Sequence, residues 1–352
     1  MQRKTVLLLF GGESSEHDVS VSSARNVFAA IDDTKYEVVL GYIDSSGKWW
    51  LLDRLDTVID YHGSPQLLPA LGGGSFVTMP GSKVVKPDVI LPILHGENGE
   101  DGSVQGLAQL LHIPIVGCDM TASAVGMDKL VSKQILTAHD ITVVPYEVHH
   151  ASDALPDFNH LTMTLGVPLF VKPTRAGSSV GVSKVYSEDD LLIALGEAHK
   201  YGDVALIEHG VTARELEVAV IGTPPKHHVS SVGEVIPGED FYSYEDKYSS
   251  ASKSEVAIPA DIDQKLSYRV QAQASRIYEL LGCQGLARID FFLSEDNQLY
   301  FNEINTIPGF TNSSMYPKLW RHEGVTYSSL IEKLLDDALS RGTIEVQETV
   351  EE

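Results

Sequence analysis

The chain opens with an apolar run at residues 6–10 that ends in Gly11-Gly12, then apolar positions at helical spacing over 19–31, then a second apolar run at 36–43. Strand, glycine turn, helix, strand predicts the start of an open parallel α/β sheet. From Trp49 to about Pro87 the pattern weakens into Gly- and Pro-containing segments such as Leu71-Gly-Gly-Gly-Ser75, which predicts an irregular insertion of short strands or turns. Regularity returns at 89–94, a strand running into His95-Gly96-Glu97-Asn98-Gly99-Glu100-Asp101-Gly102. A loop at the carboxyl end of a strand is where open α/β sheets place their ligands.

A first boundary falls after Gly117, closing an N-terminal α/β unit at 1–117. Residues 118–208 predict a small α+β unit, with helices at 129–139 and 188–200 and strands at 168–172, 182–186 and 204–208. A third unit, 209–342, holds a β-hairpin, a Ser/Tyr-rich segment at 237–253 and a closing helix at 327–339. The remainder, 343–352, reads as an acidic solvated tail, and no internal repeat is found.

Bulk properties narrow the function. At 352 residues and 43% hydrophobic content, the chain can build two or three cores. A net charge of -23 gives nucleic acid and anionic membranes no general attraction, so any phosphate must be held by a few placed cations. The apolar run at 6–10 is too short for a secretory or membrane-spanning segment, and a cytoplasmic location is expected. Cys118 and Cys283 are far apart, without metal-ligand spacing, and are expected to be buried free thiols.

Two β-like runs, 288–294 and 299–305, flank a turn centred on Asp296-Asn297. If those two residues are the loop, Asp290 faces Glu303 and Arg288 faces Asn305 on one face, while Ile289, Phe291, Leu293 and Ile304 take the other. Two opposed carboxylates cost roughly 0.2–1 kcal/mol, a penalty that a divalent ion between them removes. Carboxylate and amide oxygens suit Mg²⁺ or Mn²⁺. A solvated face with Arg288 neutralising its neighbours accounts for the pattern equally well. Lys172 at a strand end precedes a Gly/Ser loop, 173–181, whose N–H groups could cradle phosphate, although it lacks the Gly-Lys-Ser/Thr ending of a P-loop. Lys129 and Lys133, one helical turn apart, read as a solvated face or as anion contacts.

Eight blocks in order carry a resemblance over nearly the whole chain: Gly11-Gly-Glu-Ser-Ser-Glu16-His-Asp-Val-Ser20, His95-Gly with Gly99-Glu-Asp-Gly102, Met127-Asp-Lys129, Val171-Lys172-Pro, Gly177-Ser178-Ser-Val-Gly181, Tyr244-Glu-Asp-Lys247-Tyr248, Arg288-Ile-Asp290 and Asn302-Glu303-Ile-Asn305-Thr-Ile-Pro-Gly309. Together they resemble the D-alanine:D-alanine ligases of the ATP-grasp superfamily. The resemblance implies an N-terminal open parallel-sheet domain with the first D-alanine subsite and two α+β domains gripping ATP. It implies that Lys129 and Lys172 contact phosphates, that Ser179 belongs to the nucleotide site, that Glu208 with the backbone of His209 to Val211 holds adenine, and that Glu215 holds the ribose. Asp290, Glu303 and Asn305 would bind two Mg²⁺ or Mn²⁺ ions. Glu16 would meet the first D-alanine's ammonium in a network with Ser178 and Tyr248, and His95 would line that subsite. Lys247 and Ser314 would meet the second substrate's carboxylate, and Arg288 with the Gly309 N–H would stabilise the oxyanion. Segment 237–253 would be a lid, and a homodimer is implied. A D-alanine:D-lactate ligase and a non-catalytic binding protein on the same fold are the alternatives, and Tyr248 and the intact metal residues count against them.

Overall fold

A computed structural model describes residues 3–236 and 255–342. The predicted lid, with Lys247 and Tyr248, and the acidic tail lie outside the described residues.

The first sheet has seven strands: β1 (Lys4–Gly11), β2 (Tyr36–Ile43), β3 (Trp49–Leu52), β4 (Gln66–Ala70), β5 (Ser75–Met79), β6 (Val84–Val85) and β7 (Val89–Ile93), in the order β6-β5-β4-β3-β2-β1-β7. Only β2-β1-β7 is parallel. The stretch expected to be an irregular insertion of short strands or turns does form short strands, and these are ordered as an antiparallel extension of the sheet, β3 to β6. Its strands are two to five residues long and broken by Gly and Pro, too short for alternation to register, although Leu67 and Phe76 are fully inside.

Helix α1 (His17–Ala30) covers one face of this sheet and α2 (Ser103–Leu111) the other. The crevice between β1 and β7, whose following helices lie on opposite faces, is a topological switch point. Gly11 shapes one lip: at φ +94°, a Cβ there would stand 2.1 Å from the Ile43 carbonyl. After β7 come α3 (Met120–Met127) and α4 (Lys129–Ala138).

The second sheet is antiparallel, built from β8 (Tyr146–His150), β9 (Leu169–Pro173), β10 (Ser183–Val185) and β11 (Val204–His209) in the order β10-β9-β11-β8, with α5 (Phe158–Leu165) and α6 (Glu188–Ala198) in its core. The third is also antiparallel, built from β12 (Ala213–Ile221), β13 (His228–Ile236), β14 (Glu255–Ala257), β15 (Leu286–Ser294) and β16 (Leu299–Asn305) in the order β14-β13-β12-β15-β16. Its inner face packs on α4 and α7 (Gln264–Leu280). Helices α8 (Met315–His322) and α9 (Tyr327–Gly342) bridge it to the first sheet in one continuous apolar cluster. Cys118 and Cys283 are buried free thiols.

The predicted hairpin forms by a different route. Arg288 pairs with Asn305 and Asp290 with Glu303, yet Phe291 pairs with Phe301, so Asn302 is a bulged residue. The Ser294 N–H meets the Gln298 carbonyl around a three-residue loop with Asn297 at φ +61°. A loop one residue longer and a bulge of one residue cancel, and the carboxylates face each other as in the two-residue reading.

Candidate active site

Glu16, just before α1, is buried, and Ser178 Oγ donates to its Oε1 at 2.5 Å. Its place is built by short polar links between strand ends. The Gly11 N–H donates to Ser20 Oγ at 2.8 Å, Ser20 Oγ donates to the Ile93 carbonyl, and Ser14 Oγ donates to the His95 carbonyl at 2.6 Å. Backbone crowds the carboxylate: a Cβ on Gly96 or Gly177 would lie 3.2 or 3.3 Å from Glu16 Oε2. His95 Nδ1 faces the Ile307 carbonyl at 3.2 Å, which makes Nδ1 the protonated nitrogen. Burial, only partly opposed by Glu16, holds the imidazole below its ordinary pKa, so it is neutral. Its buried Nε2, an acceptor in that tautomer, makes no hydrogen bond among the described residues. A carboxylate beside a neutral imidazole acceptor suits a small ammonium.

The Gly/Ser loop is pinned to the start of α4. Asp128 caps that helix by accepting from the Leu130 and Val131 N–H groups, and Arg175 Nε donates to it at 2.7 Å. The Lys129 N–H meets the Thr174 carbonyl, and Lys129 Nζ donates to the Ala176 carbonyl at 2.7 Å while lying 3.7 Å from Glu303 Oε2. Ser178 and Ser179 both have positive φ, +49° and +61°, an uncommon conformation away from glycine.

On the third sheet Arg288 Nε and Nη2 each donate to Asp290 at 2.7 Å, and Asn305 Nδ2 donates to Asp290 Oδ2 at 2.9 Å. Burial opposes the guanidinium's charge, but Asp290 and Glu217 outweigh it and hold its pKa well above the usual arginine value. Among the described residues no three His, Cys, Asp or Glu side chains converge as a closed metal cage would. Asp290, Glu303 and the Asn305 amide oxygen still fit Mg²⁺ or Mn²⁺, because such ions bound with nucleotides take one or two carboxylates and complete their shell with phosphate and water oxygens.

Behind the loop is a buried triad. Glu208 Oε1 lies 2.8 Å from Lys133 Nζ and its Oε2 lies 2.7 Å from Lys172 Nζ. Burial pushes the Glu208 carboxyl up, but the two lysines outweigh it and leave the pKa below the ordinary range, while burial draws Lys133 down to about 8. Lys133 is fully buried, not on a solvated face, because that side of α4 turns toward β11 and Glu208 compensates its charge. The N–H groups of His209 and Gly210 meet the Pro145 and Pro168 carbonyls. Neither of these two N–H groups is left to meet a base, so the expected adenine contact would fall to the segment's other groups, Val211 included.

One cleft of about 740 Å³ runs from Glu16, His95 and Ser178 to Lys129, Glu215, Arg288, Asp290, Glu303, Asn305, Gly309 and Ser314. Comparison with known proteins matches this geometry to a family. Residues 5–118 match the D-ala D-ala ligase N-terminus family and residues 135–336 the D-ala D-ala ligase C-terminus family. The chain is 39% identical to D-alanine–D-alanine ligase A of Escherichia coli K12, covering 97% of each, and 40% identical to D-alanine–D-alanine ligase of Oceanobacillus iheyensis, covering 96% of each. The chain belongs to the D-alanine–D-alanine ligase family. Solved relatives share its ATP-grasp fold. The ligase of Coxiella burnetii superposes with a TM-score of 0.87 at 32% identity, covering 97% of this chain and 95% of the other. The VanG D-Ala:D-Ser ligase of Enterococcus faecalis superposes at 0.86 and 33% identity, covering 95% and 99%.

Set in this ligase fold, the predicted residues divide into those lining the cleft and those behind its wall. Lys172 and Glu208 are the buried pair just described, and His209 turns its ring to the Leu165 carbonyl. Ser314, at the start of α8, shares its hydroxyl with Thr311, and a Cβ on Gly309 would lie 2.9 Å from that oxygen, so the two share one tight turn. Three ionisable residues that the sequence reading did not assign to the site are also here: Glu217, Lys133 and Glu100. Lys133, one turn from Lys129, had been open to a solvated face or an anion contact, and Glu100 lies in the glycine-rich loop after β7. Glu217 had a signal in its alternation with Glu215 along a strand that was not predicted.

Glu100 offers a pH test. Its Oε2 accepts from the Gly96 N–H at 3.0 Å, and burial, with Glu16 nearby, raises its pKa to about 8. A carboxyl raised on folding costs stability as pH climbs from its unfolded value, about 4.3, to the folded one, and the cost is complete above that. Glu100→Gln keeps the neutral shape. Its melting temperature should match the parent's near pH 4 and exceed it increasingly toward pH 8.5. A difference that stays constant with pH would mean Glu100 is ionised throughout.

Proposed function

We propose that this chain condenses two D-alanine molecules into D-alanyl-D-alanine, with ATP converted to ADP and phosphate, for peptidoglycan precursor synthesis. The observation that carries the reading is one cleft lined together by Glu16, Ser178, Arg288, Asp290 and Glu303. A carboxylate is a poor acyl donor, so the first D-alanine carboxylate attacks the γ-phosphate and becomes a D-alanyl phosphate. The amine of the second D-alanine then displaces phosphate. The protein contributes position and charge, with no nucleophile of its own.

In this reading Glu16 and Ser178 hold the first ammonium, Lys129 neutralises phosphate oxygens, and Lys172 joins it by turning its ammonium from Glu208 toward the cleft. Arg288 and the Gly309 N–H meet the oxyanion of the tetrahedral intermediate. Asp290, Glu303 and Asn305 would hold Mg²⁺ or Mn²⁺, two ions expected, which would neutralise charge on the phosphates. Ser179, the 208–211 segment and Glu215 serve the nucleotide, Lys247, Tyr248 and Ser314 the second substrate, and 237–253 closes over the reaction. Units 1–117, 118–208 and 209–342, a homodimer and a cytosolic location belong to the same proposal. Among the described residues no helix is long and apolar enough to cross a membrane.

The test supplies ATP and Mg²⁺ with D-alanine alone, then with equal D-serine or D-lactate, and resolves products by mass. The proposal expects D-alanyl-D-alanine with about one phosphate per dipeptide by reaction balance, and dipeptide predominating at neutral pH. Mixed D-alanyl-D-serine or the depsipeptide as main product would move the function to another second substrate. No turnover would leave a binding protein on the fold.

A further inference from the structure

The third sheet places three carboxylates in one row: Glu217 on β12 pairs with Asp290 on β15, which pairs with Glu303 on β16. One step along each strand pair, two residues away and hence on the same face, come Ala219, Arg288 and Asn305. The Arg288 side chain leans back over the carboxylate row. It grips Asp290 with Nε and Nη2, and its Nε is also 2.9 Å from Glu217 Oε2. Glu217 and Asp290 are both buried. Like charges facing each other across a strand pair repel, and the guanidinium lies within ion-pair distance of both carboxylates.

Asp290 is heavily committed here. Two N–H groups of Arg288 and one of Asn305 point at its two oxygens, which together offer about four lone-pair sites. A divalent cation on the same oxygens needs one or two of those sites and repels a guanidinium standing within hydrogen-bond distance. A cation that takes two sites, or that repels the guanidinium from the one site left over, therefore loosens the grip of Asp290 on Arg288. Glu217 is the one other carboxylate whose ion pair with Arg288 is seen among the described residues, and a guanidinium with five fixed donors can transfer its grip across neighbouring strands by a small rotation.

We infer that Glu217 is a positioning residue, a second seat for the Arg288 guanidinium that receives it when a divalent ion takes the oxygens of Asp290. This rests on the proposed metal role of Asp290. Glu217 thereby serves two steps: it lowers the cost of loading the ion, and it keeps the Arg288 charge paired and oriented over the cleft once Asp290 has let go.

The test is a double-mutant cycle read by metal binding, not turnover, using Mn²⁺ with ADP and the full chain, followed by paramagnetic resonance or calorimetry. Glu217→Gln should weaken Mn²⁺ binding by about tenfold, the scale on which outer partners of metal ligands act. In an Arg288→Met background, where no guanidinium competes for Asp290, the same substitution should change binding by less than about twofold. Glu217→Asp, with a shorter arm but the same charge, should show a smaller loss that again vanishes without Arg288, and it carries the test should the glutamine variant fail to fold. Mn²⁺ binding unchanged by Glu217→Gln, or a loss that persists undiminished with Arg288→Met, would overturn the inference while leaving the metal site intact. Binding indifferent to Asp290→Asn would overturn the metal reading of the hairpin and the inference with it.

Discussion

Arg288→Met should lower the kcat for dipeptide formation by about 10²–10³-fold, the usual consequence of removing a preorganised oxyanion donor. The side chain is only 18% exposed and held by Asp290 and Glu217, so its charge is oriented before substrate arrives and needs little reorganisation during reaction. Methionine keeps most of the length and apolar stem but supplies no donor. KM for ATP should move much less than kcat, because the proposed contact forms with the acyl oxygen and not with the nucleotide. Arg288→Lys should recover only part of the loss: a single ammonium cannot hold Asp290 through two nitrogens and also reach the oxyanion. Measuring kcat and both KM values at saturating Mg²⁺ separates these effects. A kcat within about fivefold of the parent would remove Arg288 from the reaction and return it to the role of a charge balance for the hairpin.

The hairpin also shows what a single sequence can reveal. The facing of Asp290 and Glu303 was legible because period-two alternation with apolar Ile289, Phe291 and Ile304 pins the register at that end, and a slip would turn carboxylates into the core. The loop end was not legible, because a three-residue loop with a bulge at Asn302 and a two-residue loop without one lead to the same pairing below Asp290. Strands β2 and β16 match their predicted runs, since β2 is a long, mostly apolar run and β16 sets Leu299, Phe301 and Ile304 inside between more exposed residues. Helix α7, seventeen residues long, was missed: its buried stripe of Val270, Ala274, Ile277 and Tyr278 sits among nine polar or charged side chains, and its end signals, the Asp263 cap and Gly282 at φ +70° just past the helix, frame a run with too weak an apolar stripe to register. Residues acting through charge pairs across sheets, Glu217 above all, could not be found from spacing, because their partners come from strands set side by side only by the tertiary fold.

The same limit applies to Lys133, which spacing alone would leave in solvent. With no exposed surface and its ammonium 2.8 Å from Glu208, it balances half the charge environment of a carboxylate that is itself 3% exposed. Lys133→Met should therefore destabilise the protein by about 3–5 kcal/mol, the cost of breaking a buried pair from one side, and lower the melting temperature by on the order of 10 °C. Methionine fills much the same volume, so the loss would come from the charge left behind and not from a cavity. That distinction is measurable. Adding Glu208→Gln removes the stranded carboxylate, and the double variant should be more stable than the sum of the single losses predicts, by at least about 1 kcal/mol. Lys172, 8% exposed and near the cleft wall, can then turn its ammonium outward. Strictly additive losses would mean that Lys133 acts by packing against Tyr146, whose ring lies 5.7 Å from its ammonium, and that the triad is not an electrostatic unit.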